Sequence, residues 1–223
     1  MGIINKGILG GFSGNVGPVV GSTWKGITYM KSLPNKKSKT STVKQIEQQL
    51  KFALIMRFTQ TMTALLELTY KAYANGMTAF NAAFAYNIQN AVTGNSPDFE
   101  VDYQKVLVSR GSLPNGANPA VAKGTDDNLV FTWTDNSGMG KALATDKTVL
   151  VIYCSALDVT VYTSGNTTRD AGTETVDLSA YHQQTVETWI AFTDMDGNEA
   201  SNANNGDQRR ARPGLLDPLG AAC

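Results

Sequence analysis

The chain has 223 residues, 42% of them apolar and 17% charged, and carries no net charge at pH 7. That is enough for one large domain or two small ones with real cores. Its two cysteines, Cys154 and Cys223, exclude a disulfide framework of the small secreted kind, and with the single histidine, His182, they cannot supply the four ligands of a zinc site.

Charge is unevenly spread. Through Arg57 there are nine Lys and Arg against one acid, Glu47, and after it ten against eighteen, so the two parts carry +8 and −8. A basic front could neutralise phosphates, meet the acidic region of a neighbouring copy, or form a solvated loop around Lys36, Lys37 and Lys39.

Residues 1–34 open with GILGGFSGNVGPVVGSTWKG, positions 7 to 26. No two of these glycines are two apart, so a dinucleotide fingerprint is excluded, and no Gly-Lys-Ser/Thr is present for a Walker loop. Glycines 7, 10, 14, 17 and 21 have the spacing of a helix face. A helix is nevertheless rejected, because each interior glycine costs about 0.8–1 kcal/mol relative to alanine and Pro18 about 3. What remains is an extended or looped β-arm in which glycine lets backbone approach backbone, with β-like segments at Val19-Val20 and Ile27-Thr28-Tyr29. Ordering such an arm costs roughly 1–2 kcal/mol per residue. It is expected to order by docking in a groove of its own body or of another copy, through strand addition. Gly10, Gly11, Gly14, Gly17, Val19, Val20, Trp24, Ile27 and Tyr29 are the candidate self-assembly residues.

Residues 35–117 hold a proline-free window, Asn35 to Ser96, with helical periodicity. Thr42 and Gln45 fit a capping box, and Val43, Ile46, Leu50, Ala53, Leu54 and Phe58 recur at helical spacing. From Phe52 to Met56 the pattern is apolar nearly all round, which predicts a buried helix. Asn75-Gly76 is a left-handed stop, and Thr78 caps a second helix carrying Phe80, Phe84 and Ile88, giving a helical hairpin. Beyond Pro97, the alternation of Phe99, Val101 and Tyr103, then Val106 and Val108, predicts extended strands.

Residues 118–203 contain five short β-branched or aromatic runs separated by turn residues: Asn128–Gly138, Lys147–Cys154, Asp158–Gly165, Ala171–Tyr181 and Thr185–Ser201. This spacing predicts an antiparallel β-sandwich and an α+β chain overall. PAVAKGTDDNLVFTWTDN, then LSAY and IAFTDMDGNEAS, resemble a fibronectin type III (Ig-like) domain over Pro119 to Asn202. The resemblance implies a buried Trp133 on an early strand, Leu178 before the late hairpin, and a D-x-x-G-N-x-x-S turn between the last two strands. At whole-chain level, GILGGFSGNVGPVVGSTWKGITYMKSLP, KQIEQQLKFALIMRF, MTAFNAAFAYNIQNAVTG and YQKVLVSRGSL resemble an uncharacterised domain-of-unknown-function family of Bacteroidetes bacteria and their mobile elements. That resemblance implies an architecture and no activity. Residues 204–223 fit neither pattern and are expected to be an irregular tail, divergent or not native.

Catalytic chemistry finds no residue set. His182 lies in AYHQQT with no nucleophile indicated beside it, and Cys154 sits in a strand-like run where burial is the default. DMDGNE, from Asp194, resembles a calcium loop, yet its twelfth position is Asn205 rather than glutamate, so a β-turn is expected. No apolar run approaches the roughly 20 residues of a membrane helix, and the amino terminus lacks the compact apolar core of a signal peptide. The chain is therefore expected to be non-enzymatic, to need no cofactor or metal, to insert in no membrane, and to be made in the cytoplasm without a standard signal peptide. Its expected role is a structural subunit of a virion or extracellular filament, binding other copies of itself. The alternatives are a surface adhesin or glycan-binding module using Trp133, Tyr162 or Trp189, and, less favoured, a nucleic-acid-associated protein using Lys25, Lys31, Lys36, Lys37 and Lys39.

Overall fold

A computed structural model describes residues 3–4, 11–34, 40–124, 128–178 and 184–203. Among these residues the protein is mixed α+β, with three α-helices and several antiparallel sheets, and the chain divides into two compact units, Met1–Val43 and Lys44–Cys223.

The first unit is an antiparallel meander of β1 (Ile3–Ile4), β2 (Phe12–Val16), β3 (Val19–Trp24) and β4 (Ile27–Ser32), in that order. Two-residue turns make it. Gly17-Pro18 joins β2 to β3 with Gly17 at φ +57°, and Lys25-Gly26 joins β3 to β4 with φ +49° and +81°. Positive φ at both central residues is the type I′ pattern, whose twist matches that of the paired strands. Between residues 14 and 32 the backbone groups are thus paired with each other, and Leu33 N donates to Pro18 O at 2.7 Å.

The second unit starts with α1 (Val43–Gln60), α2 (Thr63–Thr69), a single 3-10 turn at Lys71–Tyr73, and α3 (Ala79–Asn90). Threonine hydroxyls end α1 by bonding its last carbonyls: Thr59 Oγ1 donates to Ile55 O (2.7 Å) and Thr61 Oγ1 to Phe58 O (2.7 Å). Thr78 caps α3 as its sequence predicts, accepting Asn81 N at 3.1 Å. Burial of α1 is confined to its later turns, at Ile55, Phe58 and Thr59. The expectation that Phe52–Met56 would be enclosed is corrected: Phe52, like Val43, Ile46 and Leu50 before it, is exposed. Only the carboxyl-terminal turns of α1 reach the sheet, where Phe58 meets Tyr153 edge-on at 5.0 Å.

A hairpin of β5 (Val92–Asn95) and β6 (Asp98–Val101) follows, and then an irregular stretch. The strands expected through Tyr103, Val106 and Val108 do not form there. Side chains have taken the backbone groups a sheet would use. Asn87 Oδ1 accepts Leu107 N (2.9 Å) and its Nδ2 donates to Leu107 O (3.1 Å), while Thr69 Oγ1 donates to Val108 O (2.8 Å).

The remaining strands are β7 (Ala117–Lys123), β8 (Asn128–Thr134), β9 (Lys147–Cys154), β10 (Val159–Thr168), β11 (Thr173–Asp177) and β12 (Val186–Thr193). They form two antiparallel sheets, β11-β8-β7 and β10-β9-β12, compatible with a β-sandwich. Strand β9 is buried along almost its whole length. Val149, Val151 and Tyr153 face the helices with Trp189 and Ala191 of β12, whereas Leu150, Ile152 and Cys154 face the second sheet with Ile190 and Phe192. Helices and both sheets therefore share one strand between two cores. Among the described residues no helix is long and apolar enough to cross a membrane.

One end of the sandwich is closed by Arg169, which is fully buried. Its Nε and Nη2 lie 3.1 Å from Asp146 Oδ2, Nη1 donates to Asn136 Oδ1 (2.6 Å), Nη2 donates to Pro114 O (2.8 Å), and the guanidinium lies 4.2 Å from the Phe192 ring centroid. Burial pushes the guanidinium pKa down from its ordinary value, and Asp146 opposes that shift. Removing one member of such a pair leaves an uncompensated buried charge. Arg169→Ala is expected to cost about 3–5 kcal/mol in urea unfolding, and the paired change Arg169→Met with Asp146→Leu much less. A cost below about 1 kcal/mol for the single change would show the clasp to be dispensable.

Candidate assembly surface

Strand register sorts the side chains of the N-terminal sheet onto its two faces. Because Val20 pairs with Lys31, Ser22 with Tyr29 and Trp24 with Ile27, these six residues share one face. Val19, Gly21 and Met30 occupy the other, beside Gly14 and Val16 of β2. Of the candidate residues, Val20, Trp24, Ile27 and Tyr29 are thus brought together, and Val19 is placed opposite them. Gly17 forms a turn, Gly11 precedes β2, and Gly10 lies outside the described residues.

Gly21 is the one buried residue among those described in this unit. It carries the ring of Phe12: a Cβ there would collide with Phe12 O and stand 2.7 Å from Phe12 Cδ2. The rest of the sheet lies open. Trp24 is 46% exposed, Ile27 65%, Tyr29 40% and, on the other face, Met30 70%. Apolar side chains grouped on one face without cover mark a binding surface. Lys25 Nζ sits 5.4 Å from the Trp24 ring centroid, so the β3–β4 tip offers an aromatic plane and a cation together. Val16, Met30 and Lys31 also lie on this sheet although none is among the candidate self-assembly residues, and Lys31 is named above only for the nucleic-acid alternative.

Elsewhere, Trp133 and Trp189 belong to the two cores, and Trp133 Nε1 donates to Arg169 O at 2.7 Å. Of the three aromatics named for a glycan site only Tyr162 is exposed. His182, Lys36, Lys37, Lys39, Cys223 and the tail lie outside the described residues. The perturbed ionisable groups have structural causes. Burial raises the phenols of Tyr70, Tyr103 and Tyr153, while Lys105 and Lys141 hold the carboxyls of Asp102 and Glu199 below the usual range. Among the described residues, no three His, Cys, Asp or Glu gather closely enough to hold a metal ion.

The DMDGNE segment is a turn. Asp194 Oδ1 accepts Asn198 N (2.7 Å) and Glu199 N (3.0 Å), and Gly197 N donates to Asp194 O (3.1 Å). It borders a cleft of about 270 Å³ whose walls include Leu68, Lys147, Asp194, Met195 and Asp196.

Because any side chain at position 21 collides with Phe12, Gly21→Ala is expected to destabilise the meander by about 1–3 kcal/mol. Hydrogen exchange would read this as faster exchange across residues 12–24 with little change in β9. Unchanged protection in β2 and β3 would show that Phe12 does not lock the sheet.

Comparison with curated proteins and with solved structures found no match. A family model matches residues 11–205, covering β2 to β4 of the meander, the helices and both sandwich sheets. The chain accordingly belongs to the family of unknown function DUF6266.

Proposed function

We propose that this protein is a non-enzymatic structural subunit that assembles with copies of itself through its N-terminal sheet, in a virion or an extracellular filament. The observation that carries this reading is a four-stranded sheet with one buried residue among those whose burial is described and with Trp24, Ile27 and Tyr29 uncovered on one face. A sheet needs its apolar face packed to be stable on its own. A second copy supplies such cover.

The remainder serves as a rigid body and an outward module. We take the sandwich to be of the fibronectin type III kind. Trp133 is buried on β8, β8 pairs with β11 rather than with β9, and Ala200 bridges to Thr193 where a last strand would run. Glycan or nucleic-acid binding has less support, since Trp133 and Trp189 are enclosed and the described basic residues of the sheet are only Lys25 and Lys31.

Size-exclusion chromatography with light scattering, beside negative-stain microscopy, tests the reading on full-length protein, a Trp24→Lys/Tyr29→Lys variant and a chain lacking residues 1–33. Full-length protein is expected to form regular oligomers or fibres that both altered forms lose. A full-length monomer up to about millimolar concentration, where weak specific pairs still form, would overturn it.

A further inference from the structure

The contact between copies has a direction that charge decides. The unit Met1–Val43 contains six lysines and no acid, so it carries +6 and the remaining chain −6. The described sheet carries Lys25 and Lys31 and no acid, so a two-fold contact of sheet on sheet sets like charge against like, whereas a head-to-tail contact sets these lysines against the part of the chain with the excess of acids.

Within the acidic unit, the cleft beside Asp194–Gly197 combines concavity, apolar surface and carboxylates. Its volume of about 270 Å³ falls at the floor of the ~300–1,000 Å³ typical of small-molecule sites and suits one large side chain. Leu68 lies in its wall, Met195 is 64% exposed, and Asp194 and Asp196 flank Met195. The wall also carries one cation, Lys147, whose Nζ donates to Met195 O at 2.8 Å, so carboxylate stays in excess, and the β3–β4 tip, with its indole and its lysine, is complementary in sign. Trp24 and Ile27 stand opposite each other on either side of the turn, and Lys25 lies beside the indole.

We infer that the β3–β4 tip of one copy seats in the Asp194–Gly197 cleft of the next, with Trp24 as anchor and Lys25 facing Asp194 and Asp196. This rests on the self-assembly reading and adds the acceptor and the polarity. Such a heterologous contact leaves one free tip and one free cleft on every open assembly, so it extends into chains or closes into rings.

Complementation between two full-length variants tests this. Trp24→Asp breaks the tip and Asp196→Lys breaks the cleft, both at exposed positions, with folding checked by circular dichroism and thermal melting. Each variant alone is expected to associate at least about tenfold more weakly than wild type. Mixed in equal amounts they are expected to recover pairing, but only as capped heterodimers, because each pair retains one intact tip and one intact cleft. As a variant that preserves the turn, Lys25→Asn introduces the Asn-Gly pair that type I′ turns favour. It is expected to stabilise the hairpin while weakening association. Raising salt from about 50 to about 500 mM is expected to weaken wild-type association several-fold. Failure of the mixture to pair, or Asp196→Lys assembling as wild type does, overturns this inference and leaves self-assembly standing. Wild-type protein that never associates removes both.

Discussion

Burial of β9 on both faces is the constraint on which the rest of the larger unit depends. An antiparallel strand at the surface of a sandwich alternates apolar and polar residues, but Val149 to Cys154 has no polar position facing outward. Both sides must be covered. Phe58, Met62, Leu65 and Leu66 of α1, the α1–α2 link and α2 cover one, and Leu129, Phe131 and Trp133 of β8 cover the other. Strand β12 repeats the division, with Trp189 and Ala191 on one side and Ile190 and Phe192 on the other. Helices and sandwich are consequently one cooperative object, and neither could be removed without exposing a face of β9.

Polar groups inside this object are held by specific partners. Arg169 ties together the residues preceding β7 and β9 and the residue following β8, and Glu174 on β11 accepts from Thr148 (2.6 Å), Thr163 (2.8 Å) and Thr167 (2.6 Å) across the sandwich. Apolar packing alone tolerates small slips of one sheet over the other. Directional bonds to a buried charge do not, because a slip would leave that charge unpaired. Trp189 Nε1 is the contrasting case: among the described residues it is the one buried side-chain polar atom without a partner. The α1 terminus is anchored to the β9–β10 hairpin through Thr61 with Thr160 (2.6 Å) and through the Arg57–Asp158 ion pair.

The N-terminal unit is built on the opposite principle. Its backbone is satisfied by turn chemistry and strand pairing, while its apolar side chains have almost nothing of their own to bury against. Two edges of the sandwich are blunted: β7 carries Pro119 and a register shift, and β10 has an irregularity between Ser164 and Thr168. Strand β4 has neither, and only Lys31 guards it. That difference accords with the proposed role of the meander as the part of the molecule that meets another copy, and of the body as the part that receives it.

Features with local causes were legible in the sequence. The Thr78 cap needs only its neighbour three residues on, the five β-rich runs of residues 128–201 carry their own period, and the excess of lysine before Arg57 is a count. Glycine spacing likewise ruled out a phosphate loop, because that chemistry demands fixed intervals. The sequence could not show that Asn87 and Thr69 would take the backbone groups of Leu107 and Val108, since those bonds join residues 20 and 39 positions apart. Nor could it separate the exposed from the buried part of α1, which depends on how far a helix reaches across a sheet formed a hundred residues later. By itself the sequence determined the class of elements, the front-to-back charge and the absence of a dinucleotide or Walker glycine spacing, because these follow from residue type and short spacing. Only the tertiary structure decided that one strand serves two cores, that the glycines pair within their own sheet, and that Trp24, Ile27 and Tyr29 share an open face, because register and packing between distant segments set which side of a strand meets which neighbour.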